Sequence, residues 1–365
     1  MVYKAIGLMS GSSLDGLDIA YVHLHETAGK WTYEILQADC VPYSKIWADK
    51  LSNAIHLPAS DYQLLHTDYG AYTGAAVNKF IEDNHLEHQV DVVASHGHTT
   101  FHLPQQKMTA QLGDGAAIAA TTGLPVVSDL RAMDIAFGGQ GAPIVPIGEK
   151  LLLYDYDMFL NLGGIANLSF NLPGRYIAFD VCPANRVLNM LVAETGKAYD
   201  DGGEIAATGN VNNSLLDRLN ELGYYKQNFP KSLANDFGTA TIYPMLQQSR
   251  LSTEDALRTY VEHIAIQIKN AVKSVTEGEP VKNSKLLVTG GGAFNNFMVA
   301  QINAQLLETG VTAVVPDKQL VNYKEALVMA LIGVLRWREE YNVLASVTGA
   351  ARNSINGALW LGGEA

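Results

Sequence analysis

Three turns in this chain join glycine to the end of an apolar run: Gly11 and Gly16 in SGSSLDG, Gly163 and Gly164 in NLGGIAN, and Gly290, Gly291 and Gly292 in TGGGAFN. Glycine at such a place lets backbone N–H groups approach phosphate oxygens that a Cβ would hold off. Turns also carry glycine for conformational reasons alone, so each one by itself says little. The first turn adds the hydroxyls of Ser10, Ser12 and Ser13 and the carboxylates of Asp15 and Asp18. That mixture suits phosphate oxygens together with Mg²⁺, which Asp15 would reach through water. The competing reading makes Asp15 an ordinary hairpin-turn aspartate. GxxxxGK[ST] is absent and no convincing GxGxxG is present, which argues against P-loop and Rossmann nucleotide sites.

Asp180 closes the apolar run Tyr176–Phe179 and is followed by CPAN and an amphipathic stretch through Val187, Leu188 and Leu191. A carboxylate at a strand tip, beside a helix N-terminus, could work as a general base; its structural alternative is helix capping. His96, His98 and His102 form HxHxxxH, whose first two members share a face if extended. Without an acidic ligand at close spacing, substrate hydrogen bonding suits them better than a metal. Cys182 has no histidine nearby to serve as its base.

These residues need elements to position them. Tyr3–Met9 and Leu17–Leu24 read as strands around the first turn, with Trp31–Gln37 extending the meander. Apolar residues at helical spacing predict a helix over Ser60–Asp83, and Ser252 with Asp255 predicts a capped helix to about Thr276. Val90–Ser95 reads as a buried strand ending in HGHTTFH, Pro125–Leu130 as another, and the punctuated RAMDIAFGGQGAPIVP as a crossing between domains. Met158–Phe170 repeats the opening device of strand, glycine turn and strand about 150 residues on, which implies two related domains, two unrelated hairpins being the alternative. Strands alternate with helices, so the class is α/β. The junctions fall at 130/131 and about 340/341, with 1–130 plus 341–365 as one domain and 131–340 as the other.

At 365 residues, 48% hydrophobic and 17% charged, the chain can bury two cores. A net charge of −12 without a basic run disfavours nucleic acid and anionic membranes as partners, so an anionic ligand must be held locally. No apolar run approaches the roughly 20 residues of a membrane span. Two cysteines, Cys40 and Cys182, without metal-ligand spacing fit a reducing compartment, the cytoplasm.

Taken in order, MSGSSLDGLD, SHGHTTFHLP, QLGDGAAIA, GGQGAPIVP, NLGGIANLS, FDVCPAN, YDDGGEIA, TGGGAFN and ASVTGA make essentially the whole chain resemble the anhydro-N-acetylmuramic acid kinases of the sugar kinase, heat-shock and actin ATPase superfamily. The resemblance implies two related domains, each a mixed five-stranded sheet flanked by helices, with ATP in the intervening cleft. It implies an ATP- and Mg-dependent reaction that opens the 1,6-anhydro ring by hydrolysis while phosphorylating O6, giving N-acetylmuramate 6-phosphate and ADP in cell-wall recycling. By matching position, Asp180 is the base that activates water. Gly11, Ser12, Ser13, Leu14, Asp15, Gly16, Leu17 and Asp18 hold the β- and γ-phosphates. Gly163 and Gly164 form a second clamp, and Gly290 to Gly292 lie against the adenosine. His96, His98, Arg131 and Glu325 are the substrate-side candidates, with Arg131 paired to the lactyl carboxylate. A homodimer is expected.

The chain departs from the family pattern at three places: CPAN where a GPGN-like segment is usual, His98 in place of glutamine, and ANDF (234–237) where glycine, arginine and glutamate are usual. These departures leave room for a kinase of another amino sugar. A non-catalytic ATP-binding switch is a reading from a different class, and a zinc hydrolase using the histidines is a third.

Overall fold

A computed structural model describes residues 1–11, 13–172, 175–229, 231–234, 236–277 and 283–363. Within it the strands are, in chain order, β1 (Val2–Ser10), β2 (Gly16–Thr27), β3 (Lys30–Pro42), β4 (Val92–Leu103), β5 (Met108–Leu112), β6 (Val126–Ser128), β7 (Met158–Leu162), β8 (Ile165–Leu172), β9 (Arg175–Pro183), β10 (Ser284–Thr289), β11 (Val311–Val314) and β12 (Ala358–Trp360). The chain divides into two units, Met1–Tyr154 with Tyr323–Ala365, and Asp155–Asn322. Both junctions lie inward of 130/131 and 340/341. The GGQGAPIVP stretch therefore falls inside the first unit and is not a crossing. Its glycines serve a buried network in which Gly141 N and Thr348 Oγ1 donate to Asp134 at 2.8 and 2.7 Å.

The first unit carries a mixed seven-stranded sheet in the order β12-β6-β4-β1-β2-β3, with β5 added to β4. That is two strands beyond the implied five. β4 does not stop at Ser95: HGHTTFH continues it, because Met108–Leu112 supplies an antiparallel partner, with His98 opposite Leu112 and His102 opposite Thr109. β12 adds at the other edge against β6. β1, β4 and β6 run parallel, so their carboxyl ends share one edge. Ile6, Leu8, Leu17, Ile19 and Tyr21 pack with Val77 and Phe80 of the Ala59–Asp83 helix in a buried core. That helix begins after Pro58, one residue before the expected start at Ser60, and has no side-chain cap.

The second unit has the five-stranded order β11-β10-β7-β8-β9. β7 is parallel to β10, and β8 is antiparallel to both β7 and β9. Its core is sealed by the Thr253–Thr276 helix, where Ser252 caps as expected by accepting from Asp255 N. The face buried by Leu257, Val261, Ile264 and Ile268 follows helical periodicity. Cys40 and Cys182 are free thiols. Among the described residues no helix is long and apolar enough to cross a membrane.

Candidate active site

In the first unit, the turn between β1 and β2 is built around Asp15. Its Oδ1 accepts from Ser13 Oγ at 2.7 Å and from Gly16 N at 3.0 Å, and its carbonyl accepts from Tyr43 N at 3.2 Å. Ser12 lies outside the described residues. Space at Gly11 is open, with only Ser13 Oγ at 3.5 Å from where a Cβ would stand. Gly16 has a different reason: a Cβ there would meet Cys40 Sγ at 2.5 Å and the Val41 carbonyl at 2.7 Å. Its bareness serves the packing of β3. Leu17 points into the core, 2% exposed, and offers a ligand only its backbone. Leu14 packs against the cluster of Leu51, Leu65 and Tyr69. Asp18, on β2 opposite Cys40, has its carboxyl pushed up to about 6, first by burial, with the thiol's hydrogen bond opposing and Asp15 and Glu325 adding.

Ser10 at the end of β1 meets the Nδ1 of His98 at 3.0 Å and accepts from Tyr43 OH at 2.8 Å. His96, on the neighbouring strand β4, spends both ring nitrogens within the protein. Nδ1 faces the Gly97 carbonyl at 2.8 Å, so it carries the proton, and Nε2 accepts from Arg131 Nε and Nη2 at 2.9 and 2.7 Å. Burial and the adjacent guanidinium hold this imidazole neutral, pushing it down to about 3. His96 therefore stands behind Arg131 and has no free nitrogen for a substrate. Arg131 Nη1 also donates to the Gly141 carbonyl at 2.6 Å, which leaves one N–H on each terminal nitrogen. Burial lowers its pKa to about 10, opposed by Glu325 and Asp134.

Glu325 rides on the Lys318–Trp337 helix. That helix lies directly on β1, since a Cβ at Gly7 would stand 1.8 Å from the Ala326 carbonyl. Its neighbour Lys324 forms a buried ion pair with Glu149 at 3.1 Å, which locks this turn of the helix in place. Gly11, Asp15, Asp18, His98, Arg131 and Glu325 thus cluster around the carboxyl edge of β1, β4 and β6, the usual ligand side of such sheets.

In the second unit the same edge holds the other two glycine turns and Asp180. Gly163 and Gly164 follow β7, and Gly290 to Gly292 follow its parallel neighbour β10. Asn185 Nδ2 donates to the Leu162 carbonyl at 2.8 Å, and the carbonyls of Gly163 and Gly164 accept from Asn185 N and Ala184 N at 3.1 and 2.8 Å. A Cβ at Gly163, Gly164 or Gly291 would find only ordinary contacts. At Gly290, with φ 81°, it would strike Asn161 Oδ1 at 2.4 Å, and at Gly292 it would strike Leu162 Cβ at 2.7 Å. Two of the three glycines of TGGGAFN are thus required by packing against the end of β7, and Gly291 is the open one.

Asp180 reaches this edge through a β-bulge. Ala166 pairs with Cys182, but Asn167 pairs with Asp180, so Val181 is skipped and the aspartate takes the face it would otherwise have yielded. Its carboxylate is gripped on both oxygens. Asn167 Nδ2 donates to Oδ1, while Leu233 N at 2.8 Å and Ser232 Oγ at 3.2 Å donate to Oδ2. Tyr224 OH donates to the Asp180 carbonyl at 2.7 Å. The residue does not cap the Asn185–Ala193 helix, whose cap position is Ala184. Its orientation comes from Asn167 and the 231–233 segment, which sequence reasoning missed. Asn167 stood inside the quoted NLGGIANLS, but nothing local marks it as a partner.

Residues 3–362 match the family described as anhydro-N-acetylmuramic acid kinase. The chain belongs to that family. It is 31% identical to the anhydro-N-acetylmuramic acid kinase of Haemophilus influenzae, covering 97% of each chain. It is 33% identical to that of Francisella tularensis subsp. novicida, covering 98% of each. Among solved structures it is similar to an activator of the 2-hydroxyisocaproyl-CoA dehydratase from Clostridium difficile with bound ADPNP, at 13% identity and a TM-score of 0.44, covering 92% of this chain and 96% of that one. The chain is a kinase of the family named, with two mixed sheets flanked by helices.

Proposed function

We propose that this kinase uses ATP to phosphorylate 1,6-anhydro-N-acetylmuramic acid and opens the anhydro ring in the same reaction, giving N-acetylmuramic acid 6-phosphate and ADP for peptidoglycan recycling. The observation that carries the reading is the grip on Asp180. Three donors orient its carboxylate, and it stands at the sheet edge where Gly163, Gly164 and Gly291 leave backbone bare.

In this reaction Asp180 takes a proton from water, and the oxygen so activated attacks C1. The C1–O6 bond breaks, O6 attacks the γ-phosphorus, and the bond to the bridging oxygen of ADP breaks. The proton on Asp180 returns to solvent. Gly11, Ser13, Leu14, Asp15, Gly16, Leu17 and Asp18 hold the β- and γ-phosphates, with the undescribed Ser12 assigned with them. Gly163 and Gly164 form the second clamp, and Gly290 to Gly292 take the adenosine. The free pair of N–H groups on Arg131 suits a carboxylate, with His96 fixing the guanidinium and His98 and Glu325 facing the sugar. The residues present fit a magnesium ion: the carboxylates of Asp15 and Asp18 flank a turn where Gly11 leaves room. Bound there through water, Mg²⁺ would neutralise charge on the transferring phosphoryl group.

One of the three family departures, CPAN, bears little on substrate choice. Cys182 and Ala184 are fully buried in the second unit's core. A homodimer belongs to the same reading; exposed Ile46, Leu57 and Leu64 line an apolar groove of about 620 Å³ that offers it a surface. A cytoplasmic setting belongs to the same reading, since a chain with two cysteines has no disulfide framework to need an oxidising one.

The test is ADP release with purified substrate, with the product weighed by mass spectrometry. The expected product is the substrate plus the elements of water and one phosphoryl group. Phosphorylation without added water would leave a plain sugar kinase, and no turnover at millimolar sugar would remove the substrate assignment.

A further inference from the structure

At the far end of the first hairpin, well away from the phosphate turn, three side chains with no part in the reaction converge. His23 and His25 lie on β2, and Glu34 lies on β3, the edge strand of the sheet. Each can bring one ligand atom to within 4.8 Å of the other two. Seven residues of extended chain separate His23 from Gly16, roughly 23 Å at strand rise, so this is not an extension of the active site.

The register shows how the cluster is made. Tyr21 pairs with Gln37, and an unbroken ladder would then set His23 against Ile35. A bulge between Tyr21 and Val22 shifts the pairing by one, so His23 faces Glu34 instead. Side chains directly opposite one another share a face, so the shift exchanges an apolar neighbour for a carboxylate beside two imidazoles. His25 stands two residues on, on the same face.

Hydrogen bonding prepares the imidazoles as ligands. The one proton of Tyr21 OH goes to the Gln89 carbonyl at 3.0 Å, so the 3.0 Å contact with His23 Nε2 has the imidazole as donor. Nε2 is then the protonated nitrogen of His23, and Nδ1 keeps its lone pair. A metal-bound histidine usually has this arrangement, its second nitrogen tied to a hydrogen-bond acceptor. His25 Nε2 is buried from solvent and has no hydrogen-bond partner. A buried polar nitrogen left unpaired is costly, and a bound ion removes that cost. Among neighbouring charges, Lys4 opposes a cation, while Glu34 and Asp91 favour one.

We propose that His23, His25 and Glu34 form a binding site for a transition-metal dication of the zinc type, which pins the edge strand β3 to β2. Two imidazoles and one carboxylate suit zinc, whereas magnesium and calcium favour all-oxygen sets. Ligand atoms at the corners of a zinc tetrahedron stand about 3.3 Å apart for bonds of about 2.0 Å, so small rotamer changes close the site and leave a fourth position for water.

The experiment titrates untagged, chelator-stripped full-length protein with zinc against a chromophoric indicator, with magnesium present in excess. The expected result is one tight zinc per chain. Replacing the ligand in His25→Ala should abolish this site, and Glu34→Gln should weaken it by about 10-fold or more. Because Glu34 is exposed, that variant keeps its fold. Tyr21→Phe should weaken zinc by roughly 10- to 100-fold through loss of the orienting bond. Zinc should also raise the thermal midpoint of the wild type and leave that of His25→Ala unmoved. Zinc affinity unchanged in both His25→Ala and Glu34→Gln would place any binding elsewhere and overturn the proposal, as would a wild type that binds no zinc at micromolar concentrations.

Discussion

The two sheets use one device for different chemistry, and a comparison at a single register position makes the difference plain. In the first unit the pairs leading out of the glycine turn are Ser10 with Leu17 and Met9 with Asp18, and Asp18 then faces Cys40 on β3. In the second they are Leu162 with Ala166 and Asn161 with Asn167, and Asn167 faces Asp180 on β9. The carboxylate has moved from the middle strand to the outer one, and its cross-strand partner has changed from a thiol to an amide. Asp18, short of strong donors and partly buried, is pushed up to about 6. Asp180 is held by an amide, a hydroxyl and a backbone N–H. On the proposed reading, the first site leaves a carboxylate for a cation and the second aims a carboxylate at a proton.

If that division is right, the largest effect belongs to Asp180→Asn. Turnover should fall by roughly 100-fold or more while nucleotide binding persists, since an amide cannot accept the proton of the attacking water. ADP release and nucleotide titration on the same preparation would measure both, and unchanged turnover would end the assignment. Asn167→Ala should cost less, about 10-fold in kcat with KM little changed, because it removes one of three orienting bonds and leaves the carboxylate in place.

The comparison also shows what could be read from sequence and what could not. Strand, glycine turn and strand were legible in both halves because apolar alternation and glycine are local signals. The reasons for individual glycines were not. Gly16 is bare because Cys40 and Val41 arrive from β3, and Gly290 because Asn161 arrives from β7. Asp180 could be singled out, yet its face depends on a bulge, and two of its donors lie more than 50 residues on. Likewise HxHxxxH drew attention to His96, but only the fold of β4 against the Arg131 segment shows both its nitrogens committed. The strands β5 and β12 that enlarge the first sheet are short, five and three residues, too short for periodicity to assert itself.

A smaller effect is expected in the first unit, at Arg131. On the proposed reading Arg131 gives the sugar's carboxylate a two-pronged grip that lysine cannot copy, so Arg131→Lys should raise KM for the sugar by roughly 10-fold with kcat less affected. His96→Ala should reproduce part of that rise, since the guanidinium loses the acceptor that fixes its Nε and Nη2. Equal KM values in wild type and both variants would show that the carboxylate is held elsewhere.

The smallest effect is on stability, and it has opposite signs at the two carboxylates. The Asp18 carboxyl titrates at about 6 in the folded protein against 3.8 in the free residue. Between those values the folded state holds a proton that the unfolded chain has lost, so stability falls as pH rises through the window, and the whole penalty is present above about pH 6. Its size is at most about 3 kcal/mol, and less to the extent that solvent reaches the group. Asp18→Asn removes the ionisation and should be more stable than the wild type at pH 7, the advantage shrinking towards pH 4. Urea unfolding at pH 4, 5, 6 and 7 would trace this, and wild-type and variant curves that stay parallel would show that burial does not govern Asp18. Asp180→Asn should instead lose stability at pH 7, by about 1–3 kcal/mol, because an amide cannot accept all three donors that converge on that carboxylate. On the proposed reading, any gain in stability at Asp18→Asn comes with weaker magnesium-dependent turnover, since the asparagine that relieves the burial also removes a charge assigned to the cation.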